Sequence, residues 1–134
     1  MIRPNNQSCY LYFKECTKDF GSYNVIENYG NMISHKKFLK DVDAIAGYLD
    51  KNNIKRGDVV TIFLPNIPQC FAAFYAINKI GAIANMVDPR TSEDGIEDYI
   101  KENNPFIVRT KGGYRQQHHS HHVKSASFFQ GNRK

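Results

Sequence analysis

Four histidines within five residues, His118, His119, His121 and His122, form the densest set of metal-ligating side chains in the sequence. Imidazoles so close together can hold Zn²⁺ or Ni²⁺. A His-rich run outside any periodic segment binds such ions adventitiously, however, so no metal site is assigned. Asp88 and His35 are the pair that invites an acid–base role. Asp88 precedes Pro89 at the end of an apolar run, where an aspartate serves a turn, and His35 falls in the first turn of a helix, where exposure is ordinary. No catalytic role is assigned to either. Cys9, Cys16 and Cys70 make no CxxC pair, so each is expected to be a small buried hydrophobe in a reducing compartment. Gly81 stands in Ile77–Pro89, INKIGAIANMVDP. A dinucleotide-binding turn needs several glycines between a strand and the helix after it. Here one glycine lies between a helix and the strand after it, which suits a helix C-cap and binds no phosphate.

The charge directs the search away from nucleic acid. The net charge is +5, yet residues 1–110 hold 13 basic and 13 acidic side chains. The excess lies in Lys111, Arg115, Lys124, Arg133 and Lys134, in a stretch with no acid. No basic domain face supports the aromatics Tyr114, Phe128 and Phe129 there, so no nucleic-acid partner is expected. No apolar run approaches the ~18 residues of a membrane span. The start, MIRPNNQS, lacks the apolar core of a secretory signal, so a cytoplasmic location is expected.

The elements that must position any site follow from periodicity. Residues 7–20 place Leu11, Phe13, Cys16 and Phe20 on one face of a short helix. SYNVIENYGNMIS reads as a β-hairpin around Asn28-Tyr29-Gly30-Asn31. Ser34 caps a helix over 35–52 whose inner positions are Phe38, Val42, Ile45, Ala46 and Leu49. Asp58–Pro65 is a continuous apolar run, the pattern of a strand buried on both faces. Asn66 with Gln69 reads as a capping box for a nearly all-apolar helix over 69–80. Ala82–Val87 is the next strand. Thr91 and Ser92 open a helix with Ile96, Tyr99 and Ile100 inside, although Gly95 weakens it. Asn103-Asn104-Pro105 ends that helix, and Phe106–Thr110 is a third strand. Alternating strands and helices imply right-handed parallel crossovers. The fold class is therefore α/β, an incomplete doubly wound parallel sheet preceded by a helix and a β-hairpin. Periodicity ends at Thr110, so 111–134 is expected to be a disordered basic tail, and the abrupt change fits out-of-frame translation.

In order and spacing, these pieces resemble the N-terminal end of the adenylate-forming (AMP-binding) enzymes, the superfamily of acyl-CoA synthetases, peptide-synthetase adenylation domains and luciferases. Ile33-Ser34-His35-Lys36-Lys37-Phe38 is similar to the first core element, Thr/Ser-Tyr-x-Glu-Leu, with departures at His35 and Lys37. Gly57-Asp58-Val59-Val60 followed by Leu64-Pro65-Asn66 is similar to a Gly-Asp-x-Val … Leu-x-Asn passage. Ile77–Ala82 through Asp88-Pro89 resembles Leu-Lys-x-Gly-Ala … Asp-Pro, with a leaning toward fatty-acid–CoA ligases. Thr91 with Ile96 approximates Thr-x-x-Glu-Leu. The resemblance covers 7–110 and implies an AMP-binding domain whose N-terminal part is residues 1–110. It implies ATP, Mg²⁺ and CoA as participants for full-length members, which join a carboxylate to CoA through an acyl-adenylate. The family's Ser/Thr/Gly-rich phosphate loop ending in Pro-Lys and its C-terminal lysine match nothing here, so no catalytic, cofactor-binding or metal residue is carried over.

Two readings of function follow. One is a truncated portion of an acyl-CoA ligase, inactive unless a missing remainder of the ligase is supplied, and prone to self-association through its unfinished sheet. The other is a small autonomous α/β docking module without catalysis.

Overall fold

The structure, a computed structural model, describes residues 8–91, 94, 95, 98, 106–109 and 125–127. Helix α1 (Cys9–Cys16) is capped by Ser8, whose hydroxyl accepts from the Leu11 amide at 3.3 Å. It ends three residues after Phe13, so a two-turn helix has room for only two inward positions. Tyr10 is buried and Phe13 half-buried, whereas Leu11, Cys16 and Phe20 are exposed. Of the inner face expected from spacing, only Phe13 faces inward.

Strands β1 (Asn24–Asn28) and β2 (Asn31–Ser34) pair antiparallel. Their two-residue turn has positive φ at both Tyr29 (48°) and Gly30 (80°), which matches the twist of a tight hairpin. Glu27 accepts from the Gly30 amide at 2.7 Å and holds the turn. Helix α2 (His35–Lys51) starts where Ser34 accepts from the Lys37 amide at 3.3 Å, and it buries Phe38, Val42, Ile45, Ala46 and Leu49 as the spacing predicts.

Strand β3 (Val59–Phe63) is central in a four-stranded sheet of order β4-β3-β5-β6, with β4 at Ile83–Met86, β5 at Phe106–Arg109 and β6 at Ser125–Ser127. Every pair is parallel. Register places Val60 beside Ala84, and Ile62 beside Met86 and Val108. Val60, Ile62 and Val108 join the core formed with α2 and α3 (Pro68–Lys79). Chain order runs from β3 outward to β4, then back across β3 to β5, which is the doubly wound pattern.

Two expectations are corrected. Asn66 is not the cap of α3: the helix starts after Ile67 with no side-chain cap, and Pro68 takes the first helical position, where its missing N–H costs nothing. The 111–134 segment is not without structure, because Ser125–Ser127 pairs in parallel with Ile107–Arg109 as a fourth strand. The rest of that segment, with the four histidines, lies outside the described residues. So do Ile96, Tyr99, Ile100 and the Asn103–Pro105 stop, although Asp94, Gly95 and Asp98 have helical backbone. No helix among the described residues is long and apolar enough to cross a membrane.

Candidate functional site

In doubly wound sheets, ligands bind beyond the carboxyl ends of the strands, where successive connections leave in opposite directions. Here that point lies between β3 and β5. The β3 exit is Leu64-Pro65-Asn66, tightened by the Ile67 amide donating to the Pro65 carbonyl at 2.7 Å. The β4 exit is a turn built on Asp88. Its carboxylate accepts from the Arg90 amide at 2.8 Å and from the Arg90 guanidinium at 2.7 Å, and its carbonyl accepts from the Thr91 amide at 2.9 Å. The guanidinium holds the exposed Asp88 carboxyl down to about 2. An aspartate so tied acts as a turn residue and not as a base near neutral pH.

The residues that carry the resemblance prove to be scaffold. Asp58 Oδ2 accepts from the Lys55 amide at 2.7 Å, and the Asp58 carbonyl accepts from the Ile83 amide at 2.8 Å. The Gly57 amide donates to the Gly81 carbonyl at 3.0 Å. The Gly-Asp pair therefore clamps the entrances of β3 and β4 together. Gly81, at φ 77°, completes a Schellman cap: its amide donates to the Asn78 carbonyl, and the Ala82 amide to the Ile77 carbonyl, both at 3.1 Å. The glycine is a helix stop, as its position between helix and strand predicts.

His35 and Asp88 are not brought together. His35 is 4% exposed, stacked on Phe13 at 4.7 Å between ring centroids, with no partner for Nε2 among the described residues. Its burial, as a lone histidine in an aromatic cluster with Phe38 and Tyr75, was not signalled by its place in a helix's first turn. The cysteine expectation holds for Cys70, whose thiol burial pushes up, and fails for the exposed Cys9 and Cys16. Among the described residues, no three His, Cys, Asp or Glu side chains gather as metal ligands. An open apolar groove of about 400 Å³ runs between the hairpin and the helices, lined by Phe13, Val25, Glu27, Phe38, Phe71 and Tyr75. It offers a single carboxylate, already turned onto Gly30.

Comparison with known proteins supplies what this geometry alone does not. The model of the family described as AMP-binding enzyme matches residues 13–131, nearly the whole chain. The chain belongs to that family. An acetyl-coenzyme A synthetase of Emericella nidulans is 34% identical over 83 residues, 62% of this chain and 12% of that protein. Acetyl-coenzyme A synthetase 2 of Saccharomyces cerevisiae is 34% identical over 84 residues, again 12% of its length. Acyl-CoA synthetase short-chain family member 3, mitochondrial, of Rattus norvegicus is 36% identical over 78 residues, 58% of this chain and 11% of that protein. The chain thus matches about an eighth of these relatives. Among solved structures, VinN aligns with a TM-score of 0.74 at 19% identity over 82% of this chain and 28% of that one. The Klebsiella oxytoca NpsA N-terminal subdomain aligns at 0.69 and 20% identity, over 76% and 26%. At that identity the likeness establishes the fold. This AMP-binding family chain thus carries the family's sheet, with its motif residues serving as caps and clamps.

Proposed function

We propose that the chain is the N-terminal scaffold of an AMP-dependent acyl-CoA synthetase and has no ligase activity alone. The observation that carries the reading is the combination of a family match over 13–131 with coverage of only about 12% of the acetyl-CoA synthetases it resembles. In the full-length reaction a carboxylate attacks the α-phosphate of Mg·ATP, pyrophosphate leaves, and CoA thiolate then displaces AMP from the acyl-adenylate. Charge accumulates on phosphate in both steps and needs cations or aimed N–H donors. The described residues that match family motifs spend their donors within the scaffold, on strand entrances and a helix cap. ATP, Mg²⁺ and CoA accordingly belong to the complete enzyme. The names of the relatives favour a short-chain carboxylate over a fatty acid. A cytoplasmic location goes with the exposed free thiols Cys9 and Cys16. The test is acetate-dependent ATP–pyrophosphate exchange by the chain alone, which is expected not to exceed the protein-free blank. Exchange that tracks the protein through purification would overturn the reading.

The same reading accounts for a sheet edge that is open among the described residues. The Ile83 amide donates to the Asp58 carbonyl and the Val87 amide to the Ile62 carbonyl, so alternation turns the polar backbone of Ala84 and Met86 away from β3. Ile83 and Met86 are each 54% exposed beside it. An apolar edge of this kind pairs with another copy. The double variant Ile83→Lys, Met86→Lys is expected to shift sedimentation toward monomer at concentrations where the parent associates. An unchanged distribution would exclude this edge.

A further inference from the structure

We infer that His35 is an acid-sensitive latch: on taking a proton from solvent it releases α1 from α2 and α3 while the α2–α3–sheet core stays folded. The geometry that carries this is local. Helix α1 reaches the core through two side chains, Tyr10 and Phe13. Tyr10 is tied by its amide to Asn78 Oδ1 at 2.9 Å and by its hydroxyl to Asp43. Phe13 stacks on His35 and meets Phe38 edge-on at 5.9 Å and Tyr75 at 4.8 Å. One of the two anchors of α1 therefore packs, beside Phe38 and Tyr75, on an imidazole that is 4% exposed and whose Nε2 has no partner among the described residues.

The charged form has no place there. Protonation puts an N–H on both ring nitrogens, and the one at Nε2 meets no acceptor. The face of Phe13 attracts a cation but cannot accept that hydrogen bond in kind. The ring also sits in the first turn of α2, the positive end of the helix dipole. Among the described residues, no neighbour supplies a counter-charge. On α2, Lys36 and Lys37 add positive charge and Asp41 is paired with Lys37. From the hairpin, the Glu27 carboxylate is committed to Gly30, and the Tyr23 carbonyl accepts from the His35 backbone amide at 2.8 Å. From α1, Tyr12, Lys14, Glu15 and Cys16 are exposed. From α3, Tyr75 is held neutral by burial. Burial pushes the imidazole below its ordinary value.

The sign follows. The folded pKa is depressed, so below about 6.5 the opened state binds the proton more readily than the closed state. Closure is fully favoured above that pH and weakens as pH falls toward the folded value. The effect is local because α1 is short and exposes Leu11 and Tyr12, whereas Val42, Leu49, Val60 and Ile77 are sealed in the core.

The test is hydrogen exchange on the full chain at pH 7.5, 6.5 and 5.5, corrected for intrinsic rates. The opening equilibrium of residues 8–20 should rise toward about tenfold per pH unit below 6.5, with little change across 59–79. His35→Tyr, the residue type that the resembling motif carries there, keeps a stacking ring without the titration and should flatten the rise. His35→Phe serves if the tyrosine hydroxyl perturbs the fold. In the parent, the His35 proton resonances should titrate below the ordinary histidine value of about 6.5. An unchanged rise in a folded variant, no rise at 8–20, parallel opening of 59–79, or His35 titrating at or above that ordinary value would each overturn the latch.

Discussion

Leu49→Ala is expected to lower the free energy of unfolding by about 3 kcal/mol, within the range for emptying a fully buried leucine site. Leu49 is 0% exposed on the inner face of α2 and belongs to the same core cluster as Val42, Ile45, Ala73, Ala76 and Ile77, themselves almost wholly buried. Removing the isobutyl group loses its transfer free energy and leaves a cavity that these side chains close only in part. The loss also lands on the contact that unites the molecule, since α2 packs on α3 and α3 packs on β3 and β4. A small domain holds about 0.05–0.15 kcal/mol per residue, so this loss is a substantial fraction of the whole. Urea unfolding followed by circular dichroism should show a lower midpoint with an unchanged slope. A change of less than about 1 kcal/mol would mean that α2 and α3 do not form the packed layer described.

Gly81→Val is expected to cost about 2 kcal/mol. The φ of 77° at Gly81 lies where a β-branched residue is strained by about 1–2 kcal/mol. A Cβ there would also come within 3.1 Å of Arg56 Cγ, which must then give way. The cap leads from α3 directly into β4, and the Gly81 carbonyl, accepting from the Gly57 amide, ties it to the entrance of β3, so displacement is felt at both strands. Gly47→Ala is the control. Gly47 is exposed within α2, meets nothing within 4 Å of an added Cβ and has no positive φ, so alanine should raise stability by about 0.5–1 kcal/mol. Shifts of opposite sign in thermal midpoint, with the larger one a loss at Gly81, would support both assignments. A neutral Gly81→Val would remove the reason for a glycine between α3 and β4.

The regular parts of the fold were legible in the sequence because one interaction dominates each. In α2 the apolar spacing and the Ser34 hydroxyl agree, and the helix starts and buries the residues that they indicate. Asn28–Asn31 fixes the hairpin because Gly30 accepts a positive φ cheaply, with Tyr29 following at 48°. Parallel β3 was visible as an unbroken apolar run. What spacing did not reveal is what tertiary contact selects. In α1, two turns offer several apolar faces, and α3 chooses Tyr10 through Asn78 and Lys79. The start of α3 was misassigned because Pro68 substitutes for a side-chain cap. Strand β6 has the sequence Ser-Ala-Ser, with no apolar signal, so only its pairing with β5 reveals it. As for the candidate site, the family was legible from four short motifs, but their structural role needed the hydrogen bonds around Gly57, Asp58 and Gly81.

The most direct test of the scaffold reading is to graft residues 8–91 into the matching segment of Saccharomyces cerevisiae acetyl-coenzyme A synthetase 2 and measure acetyl-CoA formation. The account predicts a soluble chimera retaining activity within about tenfold of its parent, because this segment would supply strands, caps and clamps while the remainder supplies the chemistry. A folded chimera with activity lost by more than about a thousandfold, the scale of removing a group that stabilises the transition state, would contradict it.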